Sequence, residues 1–389
     1  MDRCDVLIVG GGPAGSSCAW RLRNSGLDVA ILDKQIFPRH KVCGGWITPA
    51  VVAELEIDPV EYGESRVLQP INSFLTGSIG GPAIESVYGA TVSYGIRRCE
   101  FDDYLLRRSG ARLLLGTPLK TLEQRGGLWI VNGEMEAGVL VGAGGHFCPV
   151  ARLIGARKAG ERAVVAQEAE FEMDSEQAAG CRVLPERPEL YFCPDMKGYG
   201  WCFRKGNFLN VGLGRMDQHR LSEHVAAFVR FLKSTGRLSF EIPSAMLGHA
   251  YLLFGSATRD KVAADGLLLI GDAAGLAYPQ SGEGIRPAIE SGLFAAETVL
   301  AARGNYAHES LERYRGLLTR RFGGSGGEWT SAIGQHLPDR WIAFLGRLLL
   351  RSGWFTRRVV IDRWFLHSDQ PALPSPKVDV VGKVQVAAT

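Results

Sequence analysis

The sequence lacks the features that mark metal-binding, disulfide-rich, nucleic-acid-binding and membrane-spanning proteins. Its eight cysteines form no Cys-x-x-Cys pair and have no histidine cluster near them, so we expect neither a metal site nor a disulfide framework. The net charge of +3 is too small to indicate a nucleic-acid partner. The longest apolar runs fall far short of the roughly 20 residues that a membrane-spanning helix needs.

We expect no targeting segment, because the first residues do not show the basic, apolar and small-residue series of a signal peptide. We therefore expect a cytoplasmic protein in which most cysteines are small, buried apolar residues. A chain of 389 residues is long enough for a large core, and this length predicts two domains.

The most informative feature that is present lies in the first 34 residues. An apolar run at 5–9 leads into Gly-Gly-Gly-Pro-Ala-Gly at 10–15, and a helical segment then precedes a second apolar run, 29–32, that ends at Asp33. This order of strand, glycine turn, helix, strand and acid fits Gly-x-Gly-x-x-Gly with a carboxylate roughly 20 residues further on. It predicts a dinucleotide-binding unit; an ordinary glycine-rich turn between a strand and a helix is the alternative.

Each part of this fingerprint has a physical role in the predicted site. Gly10 would allow the tight turn, Gly12 would let the backbone approach a pyrophosphate, and Gly15 would let the helix pack close to the strand. The helix N-terminus would offer N–H groups and a partial positive charge to the phosphates. Asp33 would accept hydrogen bonds from an adenosine ribose.

A second pattern of this kind lies much later in the chain. Residues 266–270 predict a buried strand that runs into Gly271 and Asp272, and a helix is predicted to begin near Gly284. Apolar residues then recur at helical spacing at Ile285, Ile289, Leu293, Ala296 and Leu300. Asp272 could bind ribityl hydroxyls and the helix start could face a flavin ring; a second strand–helix turn without a ligand is the alternative.

A third segment, residues 94–105, predicts the end of a strand followed by a helix. Arg98 within it could pair with a pyrophosphate, because a guanidinium presents several N–H donors to phosphate oxygens. A solvated surface arginine is the alternative.

Together these segments resemble the FAD-dependent oxidoreductases that share the p-hydroxybenzoate hydroxylase fold, and among them the geranylgeranyl reductases. The resemblance is carried by 10–15 with Asp33, by Phe-Pro-Arg-His-Lys-Val-Cys-Gly-Gly at 37–45, by Arg98 with Phe101 and Asp102, and by 271–285. A further stretch, 199–206, is similar to the Tyr-x-Trp-x-Phe-Pro segment that lines the substrate cavity of those reductases.

The resemblance implies a set of site residues. It places Cys43 beside the flavin edge as the candidate catalytic residue, where the roles of proton donor, flavin positioner and inert filler stay open. It implies a substrate wall made of Tyr199, Trp201 and Phe203. The implied cofactor-binding residues are Gly10, Gly12, Pro13, Ala14, Gly15, Asp33, Lys34, Arg39, Cys43, Gly44, Arg98, Leu119, Gly142, Ala143, Gly271, Asp272, Gly282, Gly284 and Ile285.

The sequence departs from its relatives at two positions. Where they have Gly-Ala-Asp-Gly, this chain has Gly144 in place of the aspartate, so we expect slow use of NAD(P)H and leave another electron donor open. Arg204 replaces the proline of the aromatic segment, and could either reshape the cavity or supply a cation for a phosphate head group. The halogenase branch uses a Trp-x-Trp segment, which this sequence lacks, so we discount halogenation.

The predicted fold is α/β (α+β): a Rossmann-like FAD-binding domain with an inserted antiparallel β-sheet substrate domain and a C-terminal helical region. The alternating pattern at 208–213 predicts one strand of the inserted sheet. The predicted divisions are 1–60, 96–150 and 256–305 for the FAD-binding domain, 61–95 and 151–255 for the substrate domain, 306–367 for the helical region and 368–389 for an extended tail.

Residues 341–365 combine leucines, tryptophans, phenylalanines and arginines with few acids. Such a composition suits peripheral contact with a membrane, where aromatic rings lie at head-group level and arginines meet anionic lipid. An amphipathic helix pair packed on the protein, with its arginines reaching solvent, is the alternative.

The function that the resemblance implies is reduction of carbon–carbon double bonds in a prenyl (geranylgeranyl-type) lipid or precursor, by hydride transfer from reduced FAD. One alternative is an FAD-dependent monooxygenase that hydroxylates an aromatic or isoprenoid substrate, which oxygen consumption tied to product would favour. The other is an electron-relay flavoprotein, which a channel too short for a prenyl chain would favour.

Overall fold

The structure is a computed structural model that describes residues 1–157, 161, 163–217, 220–255, 258–323 and 338–374. Residues 324–337 of the predicted helical region and 375–389 of the predicted tail lie outside the described residues.

The strands of the described chain follow in order. They are β1 (Asp2–Val9), β2 (Val29–Asp33), β3 (Trp46–Ile47), β4 (Leu68–Ile71), β5 (Ser73–Ser78), β6 (Ala83–Val87), β7 (Ser93–Ile96), β8 (Arg112–Leu115), β9 (Leu122–Arg125), β10 (Leu128–Val131), β11 (Met135–Gly142), β12 (Val164–Glu172), β13 (Glu189–Phe192), β14 (Gly198–Lys205), β15 (Phe208–Arg215), β16 (Leu247–Tyr251), β17 (Ala263–Ala264) and β18 (Leu267–Leu269).

The helices are α1 (Pro13–Leu22), α2 (Pro49–Glu54), α3 (Pro59–Gly63), α4 (Arg98–Arg107), α5 (Pro149–Leu153), α6 (Ser175–Gly180), α7 (Leu221–Ser234), α8 (Ile285–Ala302), α9 (His308–Leu311), α10 (Arg313–Phe322), α11 (Asp339–Leu349) and α12 (Gly353–Phe355). A 3₁₀ turn covers Gly271–Ala273 and a π-helical segment covers Thr356–Phe365.

The first sheet is built around β1. Its strand order is β17-β18-β11-β1-β2-β8, and the β9–β10 hairpin extends from β11. The pairs β1–β11, β1–β2, β2–β8 and β11–β18 are parallel. Val6, Leu7 and Ile8 are fully buried, as expected for a parallel strand with both faces covered. Helices α1 and α8 pack backbone to backbone, since a Cβ on Gly292 would lie 2.3 Å from the carbonyl oxygen of Ala14.

The second sheet has the order β16-β12-β15-β14-β13-β5-β6 and is antiparallel except between β13 and β5. Helix α7 covers one of its faces with buried Val225, Phe228 and Leu232. Phe228 lies so close to β14 that a Cβ on Gly200 would come within 2.7 Å of its ring. The α/β fold class, with a Rossmann-like sheet and an inserted, mainly antiparallel sheet, is therefore confirmed.

A small third sheet joins the two, in the order β3-β7-β4. The first sheet takes its strands from residues 2–33, 112–142 and 263–269, and the second takes its strands from residues 73–87 and 164–251. The domain boundaries given above are compatible with this distribution and stay a prediction.

Helices occupy much of the described chain after His308. Beyond them, the start of the predicted tail is pinned onto α8: Nη2 of buried Arg286 donates hydrogen bonds to the carbonyls of Gln370 and Pro371, at 2.8 and 3.0 Å. Within the described ranges, no helix has both the length and the hydropathy that crossing a bilayer requires.

Candidate active site

A cavity of about 850 Å³ lies where the first sheet faces the second. It runs from the glycine fingerprint of β1–α1 to the aromatic residues of β14, so one space joins features that are far apart in sequence. The predicted site residues that line it are Gly10, Gly12, Pro13, Ala14, Asp33, Lys34, Arg39, Cys43, Gly44, Arg98, Leu119, Ala143, Tyr199, Trp201, Phe203, Asp272, Gly282, Gly284 and Ile285.

Three predicted glycines lie behind this wall. A Cβ on Gly15 would lie 2.0 Å from the carbonyl oxygen of Gly10, and one on Gly142 would lie 2.5 Å from the side chain of Leu269. Gly271 adopts φ +60°, and its N–H donates a hydrogen bond to Ser291. These glycines allow close packing that shapes the cavity, and they do not line it.

The fingerprint end of the cavity is suited to an anion. The carboxylate of Asp33 accepts hydrogen bonds from the N–H groups of Gly11 (2.7 Å) and Gln35 (2.8 Å), which fixes its orientation. Helix α1 begins after Gly12, and no side chain caps its N-terminus. Its first N–H groups and the positive end of its dipole are therefore available to a negatively charged ligand.

Two arginines near this loop share one buried carboxylate. Asp102 accepts two hydrogen bonds from Arg98, at 2.8 and 2.9 Å, and lies 3.2 Å from the guanidinium of Arg39. Burial alone would lower the pKa of Arg98, but the charge of Asp102 holds it above the usual value. Asp102 occupies only part of the donor set of each guanidinium, so both arginines keep N–H groups for an anion in the cavity.

A second polar part of the cavity is built around Asp272, which follows β18 in the 3₁₀ turn. A Cβ on Gly284, the residue before α8, would come within 3.1 Å of Oδ1 of Asp272. Nε2 of His249 lies 3.7 Å from Oδ2 of Asp272, and Nζ of Lys41 lies 2.8 Å from the same histidine nitrogen. As predicted, the helix begins directly after Gly284.

Burial shifts the pKa values of the groups in this cluster. It lowers the pKa of Lys41 to about 8, although the charge of Asp272 opposes this shift. It also lowers the pKa of His249, because the charged imidazolium is poorly solvated there. Burial would raise the pKa of Asp272, but the hydrogen bond with His249 and the nearby positive charges hold it below its usual range.

Cys43 lies on the cavity wall, and its peptide is held by polar side chains of the second sheet. Its N–H donates to Oε1 of Glu168 at 2.6 Å, and its carbonyl accepts from Nδ2 of Asn210 at 3.1 Å. Its Sγ accepts a hydrogen bond from the N–H of Gly45 at 3.4 Å and lies within hydrogen-bonding reach of Arg98. The second sheet therefore fixes the peptide of a residue that lines the cavity.

The aromatic wall follows from the two-residue alternation of a strand. Tyr199, Trp201 and Phe203 face the cavity from β14, while Arg204 lies on the opposite face and donates a hydrogen bond to the carbonyl of Gly206. Phe203 stacks on Trp46 with ring centroids 5.4 Å apart. Of the two roles left open for Arg204, this placement does not support a cation for a head group in the cavity.

The departure at Gly144 has a local steric reason. A Cβ at this position would lie 3.0 Å from the proline ring of Pro149 and 3.1 Å from the Cα of Cys148. A side chain such as aspartate would therefore require the start of α5 to shift.

Sequence reasoning missed four polar residues of this region: Lys41, His249, Glu168 and Asn210. Lys41 had a local signal, since it precedes Cys43 by two residues in the stretch 37–45. The other three come from strands of the second sheet and have no motif around them. Only the pairing of β12 with β15 and β16 brings them to the cysteine loop and to the 3₁₀ turn.

Comparison with known proteins finds a matching family profile and related proteins. A family profile described as an NAD(P)-binding Rossmann-like domain matches residues 8–72. The menaquinone reductase of Mycobacterium tuberculosis is 31% identical over 321 residues, which cover 76% of each chain. The digeranylgeranylglycerophospholipid reductase of Methanocaldococcus jannaschii is 28% identical over 337 residues, which cover 80% of this chain and 81% of that protein.

Among solved structures, a geranylgeranyl bacteriochlorophyll reductase-like protein from Thermoplasma acidophilum superposes with a TM-score of 0.75 at 21% identity. The match covers 95% of this chain and 98% of that one. At this level of identity the likeness concerns the fold.

Proposed function

This chain belongs to the geranylgeranyl reductase family of FAD-dependent oxidoreductases, and we propose that it reduces carbon–carbon double bonds of a prenyl lipid or of a lipid precursor. The observation that carries this proposal is the composition of the cavity between the two large sheets. Tyr199, Trp201 and Phe203 give it an apolar wall, while Cys43 and the fingerprint loop line the same space. Aromatic side chains bury large apolar areas, so such a wall can hold an isoprenoid chain without hydrogen bonds.

The donor set of the cavity fits FAD. Two carboxylates, Asp33 and Asp272, line it, and each is close to a helix N-terminus, after Gly12 and after Gly284. No side chain caps α1, whereas at α8 the carboxylate of Glu283 accepts the N–H of Arg286 at 3.4 Å. We assign Asp33 to the adenosine ribose, Gly12 and Arg39 to the pyrophosphate, Asp272 to the ribityl hydroxyls and the start of α8 to the flavin ring. A mononucleotide would use only one of these two carboxylates.

Bound there, reduced FAD supplies the hydride for the double bond. The residues of the chain would supply the rest of what the reaction needs. An isolated alkene is a poor hydride acceptor, so alignment and a dry surrounding matter, and the aromatic wall provides both. A proton must reach the neighbouring carbon, and we assign its delivery to Cys43, which lines the cavity.

The source of electrons belongs to the same proposal. We infer that NADPH and NADH reduce this protein slowly, because Gly144 stands where the family pattern has an aspartate, and a side chain there would require the start of α5 to shift. Another reductant would then serve as the physiological donor.

The test is anaerobic incubation of the dithionite-reduced holoprotein with a panel of geranylgeranyl compounds, followed by mass spectrometry of the lipid. We expect a gain of two hydrogens for each double bond reduced. The Cys43→Ala variant should slow this reaction more than it slows flavin reduction. No gain of hydrogen across the panel would refute the reductase function, and a gain of oxygen in air would assign a monooxygenase instead.

We also propose that helix α11 contacts a lipid surface. Trp341, Phe344, Leu345 and Leu348 share one face at helical spacing, and each is between 41% and 54% exposed. Exposed arginines stand beside this face at Arg340, Arg347 and Arg351. An apolar face bordered by cations suits an anionic membrane interface.

The position of α11 also suits delivery of a lipid substrate. Its Gly346 packs against Met196, and its Asp339 pairs with Lys197 at 2.7 Å, so the helix sits on the turn that precedes the aromatic strand β14. Co-sedimentation with vesicles tests the contact. Phe344→Glu should reduce binding to phosphatidylglycerol vesicles, whereas Val60→Glu, at an exposed position of α3, should not. Equal binding of the two variants would refute this role of α11.

A further inference from the structure

The second sheet holds both polar atoms of the Cys43 peptide. Glu168 of β12 accepts its N–H at 2.6 Å, and Asn210 of β15 donates to its carbonyl at 3.1 Å. Cys43 itself belongs to the loop that follows β2 in the first sheet, so these two bonds join residues that are 125 and 167 positions apart. Local sequence cannot set this orientation; the second sheet sets it.

Asn210 also connects Cys43 to the aromatic wall. Its Oδ1 accepts the indole N–H of Trp201 at 2.7 Å, and its Nδ2 lies 3.3 Å from Oε1 of Glu170. Nζ of Lys205 donates to the same Glu170 oxygen at 2.8 Å. The amide therefore cannot rotate without breaking bonds to Trp201, Cys43 and Glu170, which makes it a rigid support.

We propose that Glu168 and Asn210 are positioning residues for Cys43, which fix its thiol on the cavity wall for prenyl reduction. The proposal rests on the proposed function, because the thiol matters only if it takes part in turnover. It adds that the second sheet, through these two side chains, controls the reactivity of a cysteine in the loop that follows β2.

The burial of Glu168 supports this role. The residue is 4% exposed, and its Oε2 has no hydrogen-bond partner among the described residues. Burial raises the pKa of Glu168 to about 7, while the bond from Cys43 and the charge of Lys205 oppose the shift and the charge of Glu170 adds to it. A leucine of similar volume would avoid this desolvation cost, so the carboxyl serves an interaction that an apolar side chain cannot make.

The experiment measures the thiol without needing turnover. Purified full-length holoprotein is treated with iodoacetamide, and peptide mass spectrometry gives the alkylation rate of Cys43 relative to Cys99, the other half-buried cysteine. Glu168→Leu keeps the volume and removes the acceptor, Glu168→Gln keeps an acceptor, and Asn210→Asp keeps the acceptor for Trp201 but removes the donor to Cys43. Glu172→Gln, at the exposed end of the same strand, is the matched control.

We expect Glu168→Leu and Asn210→Asp to change the Cys43 to Cys99 ratio by about tenfold, the population change that losing one strong hydrogen bond allows. Glu168→Gln should restore a ratio close to that of the unaltered protein, and Glu172→Gln should leave it unchanged. The first two variants should also lower kcat for prenyl reduction more than they raise KM.

Two results would overturn the positioning role. One is an equal ratio in all variants, including no labelling of Cys43 in any of them. The other is an equal effect of Gln and Leu at position 168, because that would show a role that does not depend on the acceptor. If the ratio changes as expected but the unaltered protein reduces no prenyl compound, the positioning stands and the proposed function fails.

Discussion

Replacing Gly212 by alanine should push Trp201 into the cavity. Gly212 lies on β15, opposite Trp201 on β14 and Glu168 on β12. A Cβ there would lie 2.3 Å from Cζ2 of Trp201 and 2.8 Å from the Cβ of Glu168. Carbon atoms in contact are normally about 3.5–4.0 Å apart, so the indole must move by about 1.2 Å or more.

The size of the effect follows from that movement. Overpacking of this kind costs about 1–3 kcal/mol of unfolding free energy. The 2.7 Å bond from the Trp201 indole to Asn210 would be stretched beyond hydrogen-bonding distance, which adds about 1 kcal/mol. We therefore expect Gly212→Ala to melt at a lower temperature and to lose prenyl turnover, while its flavin content stays normal because the fingerprint loop belongs to the first sheet.

Gly214 provides the matched control. It lies two residues further along the same strand, and a Cβ there would meet its nearest neighbours, Ala166 and Trp201, only at 3.6 and 3.7 Å. Gly214→Ala should therefore be close to neutral. Thermal melting, flavin absorbance and anaerobic prenyl reduction would be measured for both variants. If Gly212→Ala matched Gly214→Ala in all three, the aromatic wall would not have the packing described above.

Three further predictions concern charge and electrons. Asp272→Ala should lose flavin during gel filtration more readily than the unaltered protein, and equal retention would remove Asp272 from the flavin site. In stopped-flow mixing, dithionite should reduce the flavin fully while NADPH and NADH act slowly; rapid reduction by either would show that Gly144 has no such effect. Because burial raises the pKa of Glu168 from 4.5 to about 7, the folded state binds the proton more tightly, so the unaltered protein should lose stability relative to Glu168→Gln as pH rises between these values. If the difference in unfolding free energy between the two proteins did not change with pH, this assignment would be contradicted.

The parts of the site that the sequence predicted are those in which a local motif sets the geometry. The turn after β1 and the start of α8 at Gly284 depend on residues only a few positions apart, and the structure has both. The same motifs say less about which residues touch the cavity. Gly15, Gly142 and Gly271 belong to them, yet each lies behind the wall, because a glycine can serve close packing as well as ligand approach.

The polar support of Cys43 was not predictable in this way. Lys205 follows Arg204 at the end of β14 and belongs to no alternating pattern. Glu168 and Glu170 alternate with apolar residues along β12, a pattern that normally indicates a solvent-facing side. Here that side faces the cysteine loop, and the pairing of distant strands decides this.

The environment of residues 341–365 could not be predicted from their composition either. Helix α11 leaves its apolar face exposed, whereas Val360 and Ile361 are fully buried, so the same composition occurs both at the surface and in the core.

Gly212, Trp201, Glu168 and Asn210 form one contiguous unit, and this has a consequence for combined variants. The Cβ that alanine adds at position 212 would press on the Cβ of Glu168 as well as on Trp201, so Gly212→Ala should already disturb the bond from Glu168 to Cys43. Adding Glu168→Leu should then change Cys43 alkylation by less than the product of the two single effects, with a coupling of about 0.5–3 kcal/mol, as for residues in contact. Gly212→Ala and Asp272→Ala share no such contact and should combine independently in flavin retention and melting temperature. Independent behaviour of the first pair would show that the aromatic wall and the cysteine support respond separately, and that the second sheet does not act on Cys43 as one unit.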